Sequence, residues 1–125
     1  MKRIFISFAM EDAWARTYLV GQAKNEKSPF EFVDMSVKEP WDEKWKTNCR
    51  TKIKGCDGVI AMVSKNTAKA SGQLWEIKCA KEEKIRVRGI YVSEDNRPEK
   101  LPSELDGVRV VSWTWDNIKS FIDSL

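Results

Sequence analysis

One carboxylate stands out in this sequence. In Ser71-Gly72-Gln73-Leu74-Trp75-Glu76-Ile77-Lys78-Cys79-Ala80, a helical advance of about 100° per residue puts Gly72, Trp75, Ile77, Cys79 and Ala80 on one arc of roughly 160°, and Glu76 falls inside it. A carboxylate on the buried side of a helix is costly unless it is paired or functional. The residues leave both readings open: Glu76 pairs with a lysine or caps a backbone group, or it acts on a substrate. Glu83 shares the arc two turns on, where the helix is expected to leave the sheet, and reads as rim. Other chemistries are thinned out by absence. The chain has no histidine, which removes Ser-His and Cys-His catalysis, imidazole zinc sites and histidine phosphotransfer. Cys49, Cys56 and Cys79 form no CxxC pair. They read as small buried hydrophobes in a reducing cytosol, with no disulfide framework and no metal site expected. No GxGxxG or GxxxxGK[ST] occurs, so the usual dinucleotide and P-loop cradles are missing.

The elements that must position Glu76 follow from hydrophobic pattern. Ile4 to Phe8 is a short apolar run interrupted only by Ser7, as suits a buried parallel strand. Trp14, Tyr18 and Gly21, with Ala15 and Leu19 beside them, have helical spacing. Phe30 to Val33 reads as a second strand, opened by Pro29 and closed by Asp34, and a polar loop from Ser36 to Asp42 follows. Trp45, Cys49, Ile53 and Cys56 make one helix face. Val59 to Val63 is the most apolar run and predicts a central strand. A helix is expected from Ser71 to Lys84, a strand from Val87 to Val92, a loop from Ser93 to Pro102, a short strand from Val108 to Val111, and a terminal amphipathic helix carrying Trp115, Ile118, Ile122 and Leu125. Strands alternating with helices predict an α/β fold: a flavodoxin-like, doubly wound, five-stranded and mostly parallel sheet of order 2-1-3-4-5, with helices on both faces.

Size and charge set the frame. A chain of 125 residues predicts one domain, 1–125, large enough for a core without staples. The formal charge of +3 is too small to imply a nucleic-acid partner. The apolar run at the N-terminus is too short for a signal peptide, and no stretch approaches the roughly 18 apolar residues of a membrane span. A soluble, cytoplasmic protein is expected.

In doubly wound sheets ligands sit at the carboxyl ends of the strands, beside the switch in strand order. That directs attention to Ser7–Asp12, Asp34–Trp41 and Ser64–Thr67. Phe8-Ala9-Met10-Glu11-Asp12 has no glycine and two acids, a poor phosphate loop for a flavin nucleotide. The central strand ends Met62-Val63-Ser64, without the aspartate of a phospho-receiver. Trp41 reads mainly as core or loop packing, although an aromatic there could stack on a base. Trp45 belongs to the core stripe. Lys44, Lys46, Arg50, Lys52 and Lys54 form a basic helix face, ordinarily solvated and otherwise a partner surface. Trp113 and Trp115 are expected to close the core beside the last helix.

Three segments, Phe5-Ile6-Ser7-Phe8 with Glu11-Asp12, Asp57-Gly58-Val59-Ile60-Ala61-Met62-Val63-Ser64, and Asn66-Thr67 leading into Trp75-Glu76-Ile77, resemble the TIR-like domains of the Thoeris anti-phage defence family (the ThsB type). These are a branch of Toll/interleukin-1-receptor domains. The resemblance implies an NAD-processing enzyme that cleaves the nicotinamide–ribose bond and makes a cyclic ADP-ribose-type signal for a separate effector protein. It implies Glu76 as the catalytic residue. It places Phe5, Ser7, Phe8, Asp34, Ser36, Trp41, Asn66, Thr67 and Trp75 at the substrate, with the Asp34–Trp41 loop lining the pocket and mediating self-assembly. NAD is then substrate, and no cofactor is needed. Most TIR domains have Trp-Cys with the glutamate a turn later, whereas here Trp75 directly precedes Glu76, the Thoeris-type variant.

Such a reaction suits the residues. Nicotinamide leaves as a neutral base, so no general acid is required and the lack of histidine is no obstacle. The ribose passes through an oxocarbenium-like state that an adjacent carboxylate stabilises. Phe8, with Trp41 or Trp75, could exclude water and favour attack by an atom of the same molecule. Two other readings stand beside it: a non-catalytic TIR-type interaction adaptor, in which Glu76 is a structural acid, and a nucleoside deoxyribosyltransferase-like enzyme, in which Glu76 forms a covalent sugar ester.

Overall fold

Among the described residues the chain forms five strands, β1 (Lys2–Ser7), β2 (Phe30–Val33), β3 (Gly58–Val63), β4 (Arg86–Tyr91) and β5 (Val110–Val111), and four α-helices, α1 (Ala13–Asn25), α2 (Glu43–Lys54), α3 (Ser71–Glu82) and α4 (Trp115–Asp123). The computed structural model describes residues 1–27 and 30–125, so Pro29, expected to open β2, lies outside the described residues. The sheet order is β2-β1-β3-β4-β5. Every pairing is parallel, where the pattern predicted a mostly parallel sheet. This is a flavodoxin-like, doubly wound α/β fold.

Period-two alternation divides the sheet's side chains between two layers. Ile4, Ile6, Ile60, Met62 and Ile90 pack with α1 and α4 through Leu19, Ile118, Phe121 and Ile122. Phe5 and Val59 face α2 and α3, against Trp45, Cys49, Ile53 and Cys79. The third cluster, Ala61, Val63, Ile77 and Leu105, continues that layer toward β5. Ser7, two residues after Phe5, is therefore turned toward α3, where Glu76 lies.

Several elements differ from the sequence pattern for identifiable reasons. On α1 the core stripe is Ala15, Leu19 and Ala23, not Trp14, Tyr18 and Gly21. Small residues bring the helix close to the sheet and leave the two aromatics exposed at its margin. There Trp14 stacks near Trp113 at 6.5 Å and Tyr18 meets that ring edge-on at 5.7 Å. Trp113 and Trp115 pack against the α1–α4 core as expected. β5 is only Val110–Val111, shorter than the expected Val108–Val111, and the connection from β4, expected as a loop, contains two 3-10 turns. The basic face of α2 is partly neutralised, because Arg50 pairs with Glu82 and Glu83 on α3 at 3.0 and 2.5 Å. Cys49, Cys56 and Cys79 are free and buried. Burial pushes Cys56 and Cys79 up to about 11 and Cys49 higher, so all three are neutral thiols. Among the described residues no helix is long and apolar enough to cross a membrane.

α2 begins on Asp42, whose side chain accepts from the Lys44 and Trp45 amides, a cap that fixes where the preceding loop ends. The β4–β5 pairing depends on a glycine. A Cβ at Gly89 would lie 2.7 Å from Val110 Cγ2, with that residue's other branch and Cβ also within 3.1 Å. A β-branched side chain cannot swing clear of such a contact. Gly89→Ala is expected to destabilise the fold by about 1–3 kcal/mol, read as a lower urea midpoint with unchanged slope. An unchanged midpoint would show that β5 yields freely.

Candidate active site

The buried face of α3 carries Gly72, Gln73, Glu76, Ile77, Cys79 and Ala80. Glu76 is wholly buried. Its Oε1 accepts from Ser7 Oγ at 2.9 Å, and its Oε2 accepts from Lys38 Nζ at 2.7 Å. Lys38 comes from the loop after β2, and its side chain is only 6% exposed. The same ammonium lies 4.2 Å from the centroid of the Phe8 ring, a cation–π distance. One cation is thus enclosed by a carboxylate on one side and an aromatic face on the other.

Local sequence builds this enclosure. The loop is held on both sides of Lys38: Trp45 Nε1 donates to the Val37 carbonyl at 2.6 Å, and the Asp42 amide donates to the Glu39 carbonyl at 2.9 Å. Lys38 can cross α3 only because residue 72 is glycine; a Cβ there would lie 2.7 Å from Lys38 Cβ. Gln73 ties the strand ends together, its Nε2 donating to the carbonyls of Ser7 at 3.2 Å and Met62 at 2.7 Å. Its Oε1 is buried without a partner.

Burial pushes the Glu76 carboxyl up to about 7. The charge and hydrogen bond of Lys38 and the hydrogen bond from Ser7 pull it down, and the Asp34 carboxylate adds a smaller upward push. Desolvation therefore outweighs the ion pair, in keeping with the high cost of buried charge. The group is poised to change protonation near neutrality.

Beside Lys38 lies a cavity of about 180 Å³, whose wall includes Phe8, Lys38, Trp41, Gly72 and Gln73. Sites for nucleotide-sized ligands usually run to roughly 300–1,000 Å³. This cavity is smaller than that, and Lys38, which lines it, is the residue bonded to Glu76.

The structure brings together some of the residues expected at the substrate and separates others. Ser7 and Glu76 are bonded, Phe8 joins them through Lys38, and Trp41 is in the cavity wall yet 76% exposed, so it does not pack into core or loop. Phe5 faces Trp45 and Cys49 in the core, away from the cavity, because it sits one pleat below Ser7. Asp34 is engaged by Arg16 at 2.6 Å. Ser36 lines a separate cleft of about 390 Å³ with Met35 and Asn48. Trp75 turns toward Trp45, ring centroids 5.4 Å apart, and the Arg50 guanidinium lies 5.5 Å from the Trp75 ring centroid. Asn66 and Thr67 form a different polar knot: Thr67 Oγ1 accepts from the Ser64 amide at 3.0 Å, and Asn66 Nδ2 donates to buried Asp12 at 3.1 Å. Ser64 Oγ also donates to Asp12. Glu83 lies at the rim, paired with Arg50. Sequence reasoning missed Lys38, Gln73 and the Asp12–Ser64 pair. Lys38 had a signal, as the one cation between Asp34 and Asp42. Among the described residues no group of His, Cys, Asp and Glu could hold a metal ion.

Residues 5–97 match the family described as Thoeris protein ThsB, TIR-like domain, a span from β1 to past the end of β4. No curated protein matches the chain.

A carboxyl whose folded pKa is raised binds more protons folded than unfolded between its two pKa values. Its contribution to stability is therefore greatest below about 4.5 and is lost as pH rises to about 7. Urea unfolding across that range is expected to show this decline in the wild type and a flatter profile in Glu76→Gln. Parallel profiles would place the Glu76 carboxyl in an ordinary environment.

Proposed function

This chain belongs to the Thoeris ThsB family of TIR-like domains, and on that footing we propose that it serves anti-phage defence by cleaving the nicotinamide–ribose bond of NAD, with Glu76 as the essential carboxylate. The observation that supports this reading best is the enclosed cation. Glu76, Ser7 and Phe8 surround the Lys38 ammonium with a carboxylate and an aromatic face. The reacting end of NAD is also cationic, first as a pyridinium and then as an oxocarbenium-like ribose. Lys38 holds the position that this charge would take.

In the proposed reaction the ribose C1′–nitrogen bond breaks with its electron pair going to nicotinamide, which leaves as a neutral base. Glu76 stabilises the positive charge growing on the sugar, an effect strengthened by its dry surroundings. The cation is then captured by water, which loses a proton, or by a nucleophilic atom of the same ADP-ribose, giving a cyclic product. Such a product would diffuse to a separate effector protein. NAD is consumed as substrate, and no cofactor enters. Lys38 must first leave, which requires the Asp34–Trp41 loop to swing outward. Self-assembly of the chain is the proposed means of holding it there. A cationic substrate would replace the lost ammonium and keep Glu76 ionised, whereas an empty open site would favour its protonated form.

A second reading, a docking module without catalysis, draws on the closure of the site. Glu76 is satisfied and unexposed as a structural acid would be, and Trp41 projects from the neighbouring loop. Activity separates the two. Nicotinamide release from NAD, followed by chromatography over a range of protein concentrations, is expected from the wild type and to fall by about 10²–10³-fold in Glu76→Gln. Gly72→Ala, which forces Lys38 aside while leaving both charges intact, is expected to raise the rate several-fold. Absence of nicotinamide release from the wild type and from Gly72→Ala, at every concentration, would leave the docking role.

A further inference from the structure

At the opposite end of the sheet from Glu76, a cleft of about 330 Å³ runs along the start of β4 and the approach to β5, walled by Lys81, Arg86, Arg88, Arg109, Asp106 and Phe121 among others. We infer that this cleft binds a phosphate-bearing anion, held between the guanidinium groups of Arg88 and Arg109 with Arg86 and Lys81 at its edge.

The parallel register carries the inference. Gly89 pairs with Val110, so Arg88 on β4 and Arg109, the residue just before β5, are register neighbours where that pairing begins. Strand spacing of about 4.8 Å makes them direct neighbours, and like charges in that relation are destabilising. Arg86, two residues before Arg88, shares its face of the sheet. Lys81 reaches the cleft from α3 and gives its hydrogen bonds to the carbonyls of Glu104 and Asp106 at 3.1 and 2.9 Å. Arg86 likewise donates to a carbonyl, that of Ser124. None of these four cations forms an ion pair among the described residues, although other arginines of the chain do. The wall's one carboxylate, Asp106, is exposed and forms no ion pair among the described residues.

Arg88 is the centre of this arrangement. Its guanidinium lies 5.0 Å from the Phe121 ring centroid, and its Nε is buried without a hydrogen-bond partner. Burial, and then the neighbouring Arg109 and Arg86, push its pKa below the usual arginine range. A buried donor left without an acceptor is destabilising. An anion between the two guanidiniums would offset the repulsion and accept from their terminal N–H groups. Guanidinium forks match phosphate oxygens in shape as well as charge. β5 leaves the space open, because it begins only at Val110.

An amide NMR titration of the full chain with inorganic pyrophosphate and separately with ADP, at constant ionic strength, tests the assignment. Saturable shifts are expected at Gly89, Gly107 and Val108–Val110, with little change at Ser7 and Gln73. Arg88→Met, which keeps an apolar stem on Phe121, and Arg109→Gln are each expected to weaken pyrophosphate at least tenfold. Equal affinities for pyrophosphate and ADP would assign recognition to the phosphates alone, and tighter ADP would assign it to a nucleotide; both support the site. Unsaturable shifts, shifts centred on the lysines of α2, or variants that titrate like the wild type would overturn it.

Discussion

A carboxylate deprived of water must be given partners by the protein, and this constraint organises the region around Glu76. Ser7 supplies a hydroxyl and Lys38 a charge, yet the acid remains harder to ionise than in water because desolvation exceeds both. The requirement reaches outward. It needs a glycine at 72 so that Lys38 can approach, a tryptophan at 45 whose indole N–H holds the loop carbonyl, and an aspartate at 42 that starts α2 at the right point. These residues come from four separate stretches of chain, and each contributes to holding one buried ion pair in place.

The parallel sheet decides where such a pair can exist. All five strands run the same way, so the ends of β1 and β3 open together beside the reversal in strand order. Two polar knots occupy that edge. One joins Ser7, Lys38 and Glu76; the other joins Asp12, Ser64 and Asn66. Between them Gln73 satisfies strand-end carbonyls that would otherwise be buried without donors. At the opposite end of the sheet Arg86, Arg88 and Arg109 wall one cleft and form no ion pair among the described residues.

Much of this was legible in the sequence because it rests on local pattern. Alternating apolar runs and helical stripes predict the sheet order, and the arc on α3 predicts an inward-facing Glu76. The arc was less accurate at its margin: Trp75 turns to Trp45, while Gln73 takes a core position. Trp14 and Tyr18 show the same limit, since large aromatics yield the closest helix–sheet contact to Ala15, Leu19 and Ala23. The resemblance puts Phe5 at the pocket with Ser7, but one pleat separates the core from the strand's open end. Lys38 could not be matched to Glu76 from pattern alone, because the two lie 38 positions apart and a loop has no periodicity to aim its side chains. Asp34 and Ser36 belong to the same loop and point elsewhere for that reason.

The three sequestered sulfhydryls have a practical consequence. Cys49 and Cys79 lie in the layer between α2, α3 and the sheet, and their suppressed ionisation denies alkylating reagents the thiolate they attack. Any labelling at these positions must pass through an opening of that layer. Its rate therefore times how often α2 and α3 part from the strands, without a dye, a tag or an added chromophore.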